Sequence, residues 1–263
     1  MTRTATAHAP GSVTLAFAPT RDGQGSRGIS LTTADGVEAE VRPADDTRVW
    51  LDGEATAFEP VEGVLERLGV AAAVELTAAT PVGAGFGASG AATLATALAA
   101  NAAFDLGRDR SALVEAAARA EVAAGTGLGD VFVQNRGGLV YDTGDGRRRR
   151  ARTGDLQYVS HGGITTADVL GDEAAMERVR AAATDAFAAF DPSASLSTLL
   201  SVGRTFTDRT GLATDRVQET FERVAAAGGT ATAAMVGETV VATGAGDTLP
   251  NATRLTDTGA RLR

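Results

Sequence analysis

The 263-residue chain contains no cysteine. A disulfide framework, an iron–sulfur cluster, a thiolate zinc site and a cysteine nucleophile are therefore excluded. It contains no lysine either: all 24 cationic side chains are arginine. That removes a Walker A ammonium, a Schiff-base lysine and a lysine general base, and with them pyridoxal phosphate chemistry of the usual kind. His8 and His161 are the only histidines, too few for a histidine-rich metal site. Residues 1–10 show no apolar leader segment. The charge-free run 76–104 is long enough to raise a membrane span, but its Gly, Pro and Thr content reads better as a buried glycine loop and helix. A cytoplasmic protein that binds neither membrane nor nucleic acid is expected.

The charge balance is acidic, 33 Asp+Glu against 24 Lys+Arg, which opposes non-specific nucleic-acid binding. An acidic, lysine-free, alanine-rich composition also suggests a salt-adapted organism such as a halophilic archaeon, because net charge aids solubility where salt screens repulsion.

Short Val/Leu/Ile-rich runs at 12–18, 29–33, 37–41 and 47–51 read as strands, with turn signals at Asp35-Gly36 and Asp45-Asp46. Residues 60–68 read as a helix opened by Pro60 and closed by Gly69, and 70–76 as a strand. Helices are predicted over 88–104 and from a cap at Asp109 to 124, then a strand at 138–142 and a turn at Asp145-Gly146. The four arginines 147–150 read as a solvated hairpin edge rather than a nucleic-acid patch. Three amphipathic helices (172–190, 195–210, 215–227) precede a hairpin of 230–236 and 239–243 about Gly237-Glu238. This order is α+β and lacks the alternation of a Rossmann fold.

The most informative segment is Pro81-Val82-Gly83-Ala84-Gly85-Phe86-Gly87-Ala88-Ser89. Alternating glycines let backbone N–H groups converge on an anion, and the helix that follows adds its N-terminal N–H groups. A first-turn hydroxyl, Ser89, can reach a phosphate-bound magnesium. The same segment also reads simply as a turn between a strand and a buried helix. Farther on, Asp130 ends a glycine loop where its carboxylate can face a cavity. Glu121 lies in the last turn of a helix, a poor place for an anion unless a cation offsets it. Magnesium, held by one or two carboxylates and triphosphate oxygens, suits that place.

The segment at 81–91 resembles the phosphate-binding motif of the GHMP kinases (galactose, homoserine, mevalonate and phosphomevalonate kinases). His8-Ala9-Pro10-Gly11-Ser12-Val13-Thr14-Leu15 is similar to that family's first motif, and Ala226-Ala227-Gly228-Gly229-Thr230-Ala231-Thr232-Ala233 more loosely to its third. The resemblance implies a two-lobed α+β fold, with a ribosomal-protein-S5-like N-terminal lobe (1–150) and a ferredoxin-like C-terminal lobe (151–263). It implies ATP and Mg2+ as cofactors and Pro81, Gly83, Ala84, Gly85, Phe86, Gly87, Ala88 and Ser89 as the ATP-binding loop. Ser89 and Glu121 become metal ligands and Asp130 the general base, ahead of the glycine pair Gly137-Gly138. The sequence departs from the family pattern at Ser12, where a lysine is frequent, at Ala88-Ser89, where Ser-Ser is frequent, and in the shortened glycine run of the third motif.

Gly25-Ser26-Arg27-Gly28, together with residues 126–131, Gln134 and Gly137-Gly138, resembles the archaeal pantoate kinase branch, which acts in coenzyme A biosynthesis. The expected activity is ATP-dependent phosphorylation of pantoate. A homoserine- or mevalonate-type kinase and a non-catalytic nucleotide sensor are the alternatives. Pantoate carries a carboxylate, so the pocket needs a cation. Arg27, between glycines, is the candidate, with Gly129 beside the substrate. His161-Gly162-Gly163 reads as a polar loop, with a place in the lining of the site as the alternative. A homodimer is left open.

Overall fold

A computed structural model describes residues 3–20, 25–162, 172–235 and 237–263. Its two longest strands, β1 (Ala5–Pro19) and β2 (Ser26–Pro43), pair antiparallel along almost their whole length. The turn expected at Asp35-Gly36 is not a chain reversal. Pairing shifts there, so that Pro10 faces Gly36 while Gly11 faces Thr33, and Ala34 and Asp35 form a bulge in a continuous β2. A bulge absorbs extra residues while the strand runs on. Gly36 is needed for contact reasons: a Cβ would run into the carbonyl oxygen of Ala9. An Asp-Gly pair marks a turn locally, but pairing with β1 along both halves of β2 overrides it.

A small hairpin follows, β3 (Arg48–Leu51) and β4 (Glu54–Thr56), then α1 (Glu59–Leu68) and β5 (Ala72–Ala78). Pro60 sits in the first turn of α1 and Gly69 closes it, as the sequence predicts. Next come α2 (Ala88–Ala103), α3 (Arg110–Ala123), α4 (Asp130–Arg136), β6 (Leu139–Asp142), β7 (Arg148–Arg150) and β8 (Gly154–Ser160). The last third holds α5 (Glu173–Ala189), α6 (Leu196–Thr210), α7 (Asp215–Ala226), β9 (Thr230–Ala234), β10 (Thr239–Thr243), β11 (Asn251–Leu255) and β12 (Arg261–Leu262). The caps read from sequence are made: Asp109 accepts from the Ala112 N–H, Asp172 from Ala175 and Ser195 from Thr198. The predicted hairpin about Gly237-Glu238 forms as β9–β10, although Val236 lies outside the described residues.

All described strands join one sheet, ordered β4-β3-β5-β2-β11-β8-β10-β9, with β1 on β2 and β12, and β6 on β2 and β7. Among them only β3 and β5 pair parallel. The architecture is α+β, as the order of elements predicts, and the sheet is antiparallel apart from that pair. Five elements escaped the sequence reading: β4, α4, β8, β11 and β12. α4 has seven residues and follows a glycine-rich stretch that reads as loop, and the strands alternate weakly.

Two hydrophobic cores result. One gathers Ala7, Ala9, Val37 and Val41 with α1, α2 and α3, and the other gathers Val13, Leu15, Ile29 and Leu31 with α5, α6, α7 and the strands they cover. β1 and β2 therefore serve both cores, divided at the bulge. α2 is buried over nearly all its surface. Its alanines allow that, since a helix without long side chains can lie close on β1 and β2 while α1 and α3 cover it. Among the described residues no helix is long and apolar enough to cross a membrane.

Candidate active site

The bulge at Gly11 and Gly36 is where the glycine loop seats. The Ser12 N–H donates to the Phe86 carbonyl (2.8 Å) and the Ala79 N–H to that of Gly36 (2.9 Å). Phe86 is buried and packs edge-on against Tyr158, with centroids 4.9 Å apart. These contacts fix the loop between β5 and α2. Gly85 has φ +81°, and a Cβ there would lie 2.7 Å from the Ala234 carbonyl oxygen. Gly87, the residue before α2, has φ +62°, and a Cβ there would strike Ser12 Oγ and approach Gln134 Nε2 to 2.7 Å. Only glycine fits such a left-handed, crowded position. No side chain caps α2 and its first turn holds no acid. Its leading N–H groups therefore remain open to an anion.

Behind the loop stand two carboxylates. Glu121, 3% exposed, ends α3. Its Oε1 accepts from Ser89 Oγ (2.9 Å) and Thr93 Oγ1 (2.6 Å), and its Oε2 from Thr126 Oγ1 (2.9 Å). Asp130 opens α4, where its Oδ1 accepts from Ser12 Oγ at 2.7 Å. Neither is in an ion pair among the described residues. Burial raises both carboxyls above their ordinary values. Thr93, Ser89 and Thr126 pull Glu121 back, and the charge of Asp130 adds to its rise. The Ser12 hydrogen bond opposes the rise at Asp130.

Gln134, fully buried on α4, donates to the Gly87 carbonyl (2.7 Å) and to Ser12 Oγ (3.3 Å). It joins the glycine loop to the Ser12–Asp130 pair. One cleft beside Asp130 is lined by Thr14, Ser30, Gly129, Tyr141, Arg147 and Met235, among others. A second, on the other side of residues 127–129, reaches Glu121 and Arg119.

Ser89, Glu121 and Asp130 thus lie together, with the glycine loop at their side and Gly129 in the cleft wall. Arg27 does not join them. Ser26 and Gly28 face the cleft, while Arg27 is exposed on the opposite face of β2 near Gly144. Alternation along a strand dictates this: neighbours of two cleft-facing residues must point away. The third sequence motif is also displaced. Gly228 and Gly229 make the exit from α7 into β9, and Gly229 packs on Ala245. It is Ala234 and Gly237 that lie against residues 84–85. His161 bonds Thr220 through Nε2 (2.9 Å), and Gly163 lies outside the described residues.

Sequence reasoning missed Thr93 and the cleft position of Arg147, and it read Thr126 only as part of the segment 126–131, not as a partner of Glu121. Thr93 had a signal, since it stands four residues after Ser89 on one helix face. Arg147 had none beyond its place in the arginine run.

A magnesium site can be tested against these residues. Among the described residues no group of three His, Cys, Asp or Glu side chains gathers to hold a metal. Glu121 and Ser89 offer a buried carboxylate and a hydroxyl 2.9 Å apart, with no cation beside them. That sparse oxygen set fits magnesium, which takes its remaining ligands from phosphate and water.

The fold is that of the GHMP kinases, and the resemblance read from the motifs holds. Residues 56–138, which include the glycine loop, Glu121 and Asp130, match the family model "GHMP kinases N terminal domain". Across 99% of this chain and 98% of the other, the structure superposes on a "Phosphotransferase related to CoA biosynthesis pathway" with TM-score 0.84 and 20% identity. The homoserine kinase from Cytophaga hutchinsonii superposes with TM-score 0.66 and 15% identity, covering 100% of this chain and 98% of that one. A structure described as "MDDEF in complex with MVAPP, AMPPCP and Magnesium" does so with TM-score 0.72 and 13% identity over 99% of each chain. No curated protein matches.

Proposed function

We propose that this protein is an ATP- and magnesium-dependent small-molecule kinase whose acceptor is pantoate, phosphorylated to 4-phosphopantoate. The observation that carries the kinase reading is the pairing of Ser89 with Glu121 and of Ser12 with Asp130 beside an uncapped helix at the end of a glycine loop. The pantoate reading is supported by the motif resemblance and by the phosphotransferase likeness, which is related by its description to coenzyme A biosynthesis.

In this reading the loop 81–88 holds the triphosphate through the backbone N–H groups from Val82 onward, Pro81 having none to donate. Ser89 and Glu121 hold magnesium, which supplies neutralisation of phosphate charge. Gly129 borders the acceptor. The acceptor hydroxyl oxygen bonds to the γ-phosphorus as the bond to the β–γ bridging oxygen breaks, and ADP leaves. The hydroxyl proton passes to Asp130, on Oδ2, since Oδ1 is engaged by Ser12. No cation offsets Asp130, so its basicity is raised by burial, which suits it to take that proton. Phosphoryl transfer asks mainly for alignment and charge neutralisation, and the chain supplies both without lysine.

The test is ADP release with pantoate, homoserine and mevalonate at equal concentrations. Pantoate-dependent release well above the other two supports the proposal. Turnover of another acceptor overturns the pantoate assignment, and ATP binding without turnover of any acceptor supports a sensor.

A further inference from the structure

With Arg27 outside the cleft, the question is which group there meets an anionic acceptor. Arg147 lies just before β7 and lines the cleft that holds Asp130. Its guanidinium lies 4.2 Å from the centroid of the Phe132 ring. It is half-buried, while Arg148, Arg149 and Arg150 are exposed. Arg149 is spent on the carbonyls of Arg136, Gly137 and Asp257. The Arg147 side chain donates no hydrogen bond and makes no ion pair among the described residues. Its backbone is pinned by Arg136, whose Nη1 donates to the Arg147 carbonyl at 3.0 Å.

A partly desolvated guanidinium with five unused donors is costly unless an anion meets it. The Phe132 face offsets part of that cost. Asp142, also in the cleft wall, attracts Arg147 at a distance but forms no ion pair, and its Oδ1 accepts from the Gly144 N–H at 3.0 Å. The same cleft offers aliphatic surface from Leu128, Val133, Val140 and Met235 beside the hydroxyl residues Thr14, Ser26 and Ser30.

We propose that Arg147 is the counter-ion for a carboxylate on the acceptor, so that the cleft selects a short aliphatic hydroxy-acid over a neutral alcohol. The proposal rests on the kinase reading and deepens it. The carboxylate meets the planar fork of Arg147, the carbon chain lies on the aliphatic surface, and the hydroxyl reaches Asp130. Arg147 acts as a specificity residue, distinct from the groups that move protons or hold phosphate.

The experiment compares kcat/KM for pantoate with that for 2,2-dimethyl-1,3-propanediol, which keeps the hydroxymethyl group and the branched carbon but has no carboxylate. The parent should prefer pantoate strongly. Arg147→Met keeps a stem to pack on Phe132, and it should shrink that preference about tenfold or more while moving the KM for ATP less than twofold. Arg147→Lys should restore part of it, because a point charge replaces the fork incompletely. Arg27→Ala should leave it unchanged. An unaltered preference in Arg147→Met overturns the proposal, as does a parent that favours the neutral diol. If the parent uses mevalonate or homoserine instead, the pantoate assignment fails. The same ratio, taken between that acid and its carboxylate-free analogue, then decides Arg147. If no acceptor turns over, calorimetric titration of pantoate and mevalonate decides: binding lost in Arg147→Met supports the proposal, and no binding to the parent overturns it.

Discussion

The surroundings of Glu121 and of Asp130 differ more than the two residues do. Glu121 is buried and Asp130 partly buried near the same glycine loop, and desolvation lifts both above their ordinary pKa. Glu121 is held on both oxygens by three hydroxyls, two from α2 and one from the loop after α3. Asp130 is held on one oxygen by one serine. A carboxylate fixed on both sides is a stationary oxygen donor, whereas one with a free oxygen can accept a proton from a ligand. The donor count around each group, more than its residue type, separates a metal-holding role from a proton-accepting one.

Breaking the freer carboxylate should have the largest effect. Asp130→Asn keeps an acceptor for Ser12 but removes the basic oxygen. Turnover should fall by about 10²-fold or more with ATP affinity nearly unchanged, as read by steady-state kinetics and nucleotide titration. In the parent, kcat should rise with pH through an inflection above the ordinary carboxylate range, because the base must be deprotonated and burial raises its pKa. Near-parental turnover in the variant would erase the distinction between the two groups.

A smaller effect is expected at the tethered carboxylate. Ser89→Ala and Glu121→Gln each remove or weaken an oxygen ligand, so half-maximal rate should need several-fold more magnesium in each. At saturating metal the Ser89→Ala rate should recover most of its loss, unlike Asp130→Asn. Magnesium titrations that overlay the parent would place the metal elsewhere.

The smallest effect sharpens the comparison through stability. A carboxyl whose folded pKa lies above its unfolded value binds more protons in the folded state between the two values. Unfolding free energy therefore falls as pH rises through that window, and the charged form stays a burden at neutral pH. Glu121→Gln should raise the melting temperature of the ligand-free protein at pH 7, by a few degrees, and flatten its decline above pH 4. Equal melting curves for parent and variant across pH would show that the three hydroxyls fully offset burial.

Much of the candidate site was legible because its signals are local. Alternating glycines, a first-turn serine and an acid after a glycine loop can each be read within a dozen residues, and the caps at Asp109, Asp172 and Ser195 follow the same logic. Partners contributed from a distance were not legible. Ser12 reaches Asp130 across 118 residues of chain, and Gln134 reaches Gly87 across 47. Arg27 was misread for the same reason: its glycine neighbours suggested access to a ligand, and only pairing with β1 and β6 decided which face of β2 it occupies.

By itself, the sequence determined the chemistry available and the elements that carry it: no thiol, no ammonium, an α+β order, a glycine loop before an alanine-rich helix, and two acids downstream. Those properties depend on residue type and on spacing within one element. The tertiary structure alone decided that a turn signal becomes a bulge, that β1 and β2 serve two cores, and that Ala234 and Gly237, not Gly228 and Gly229, lie against the glycine loop. It also decided that Arg147 rather than Arg27 enters the cleft. Strand register explains the difference: a shift of one residue in pairing turns every side chain to the other face, and register is set by partners far along the chain.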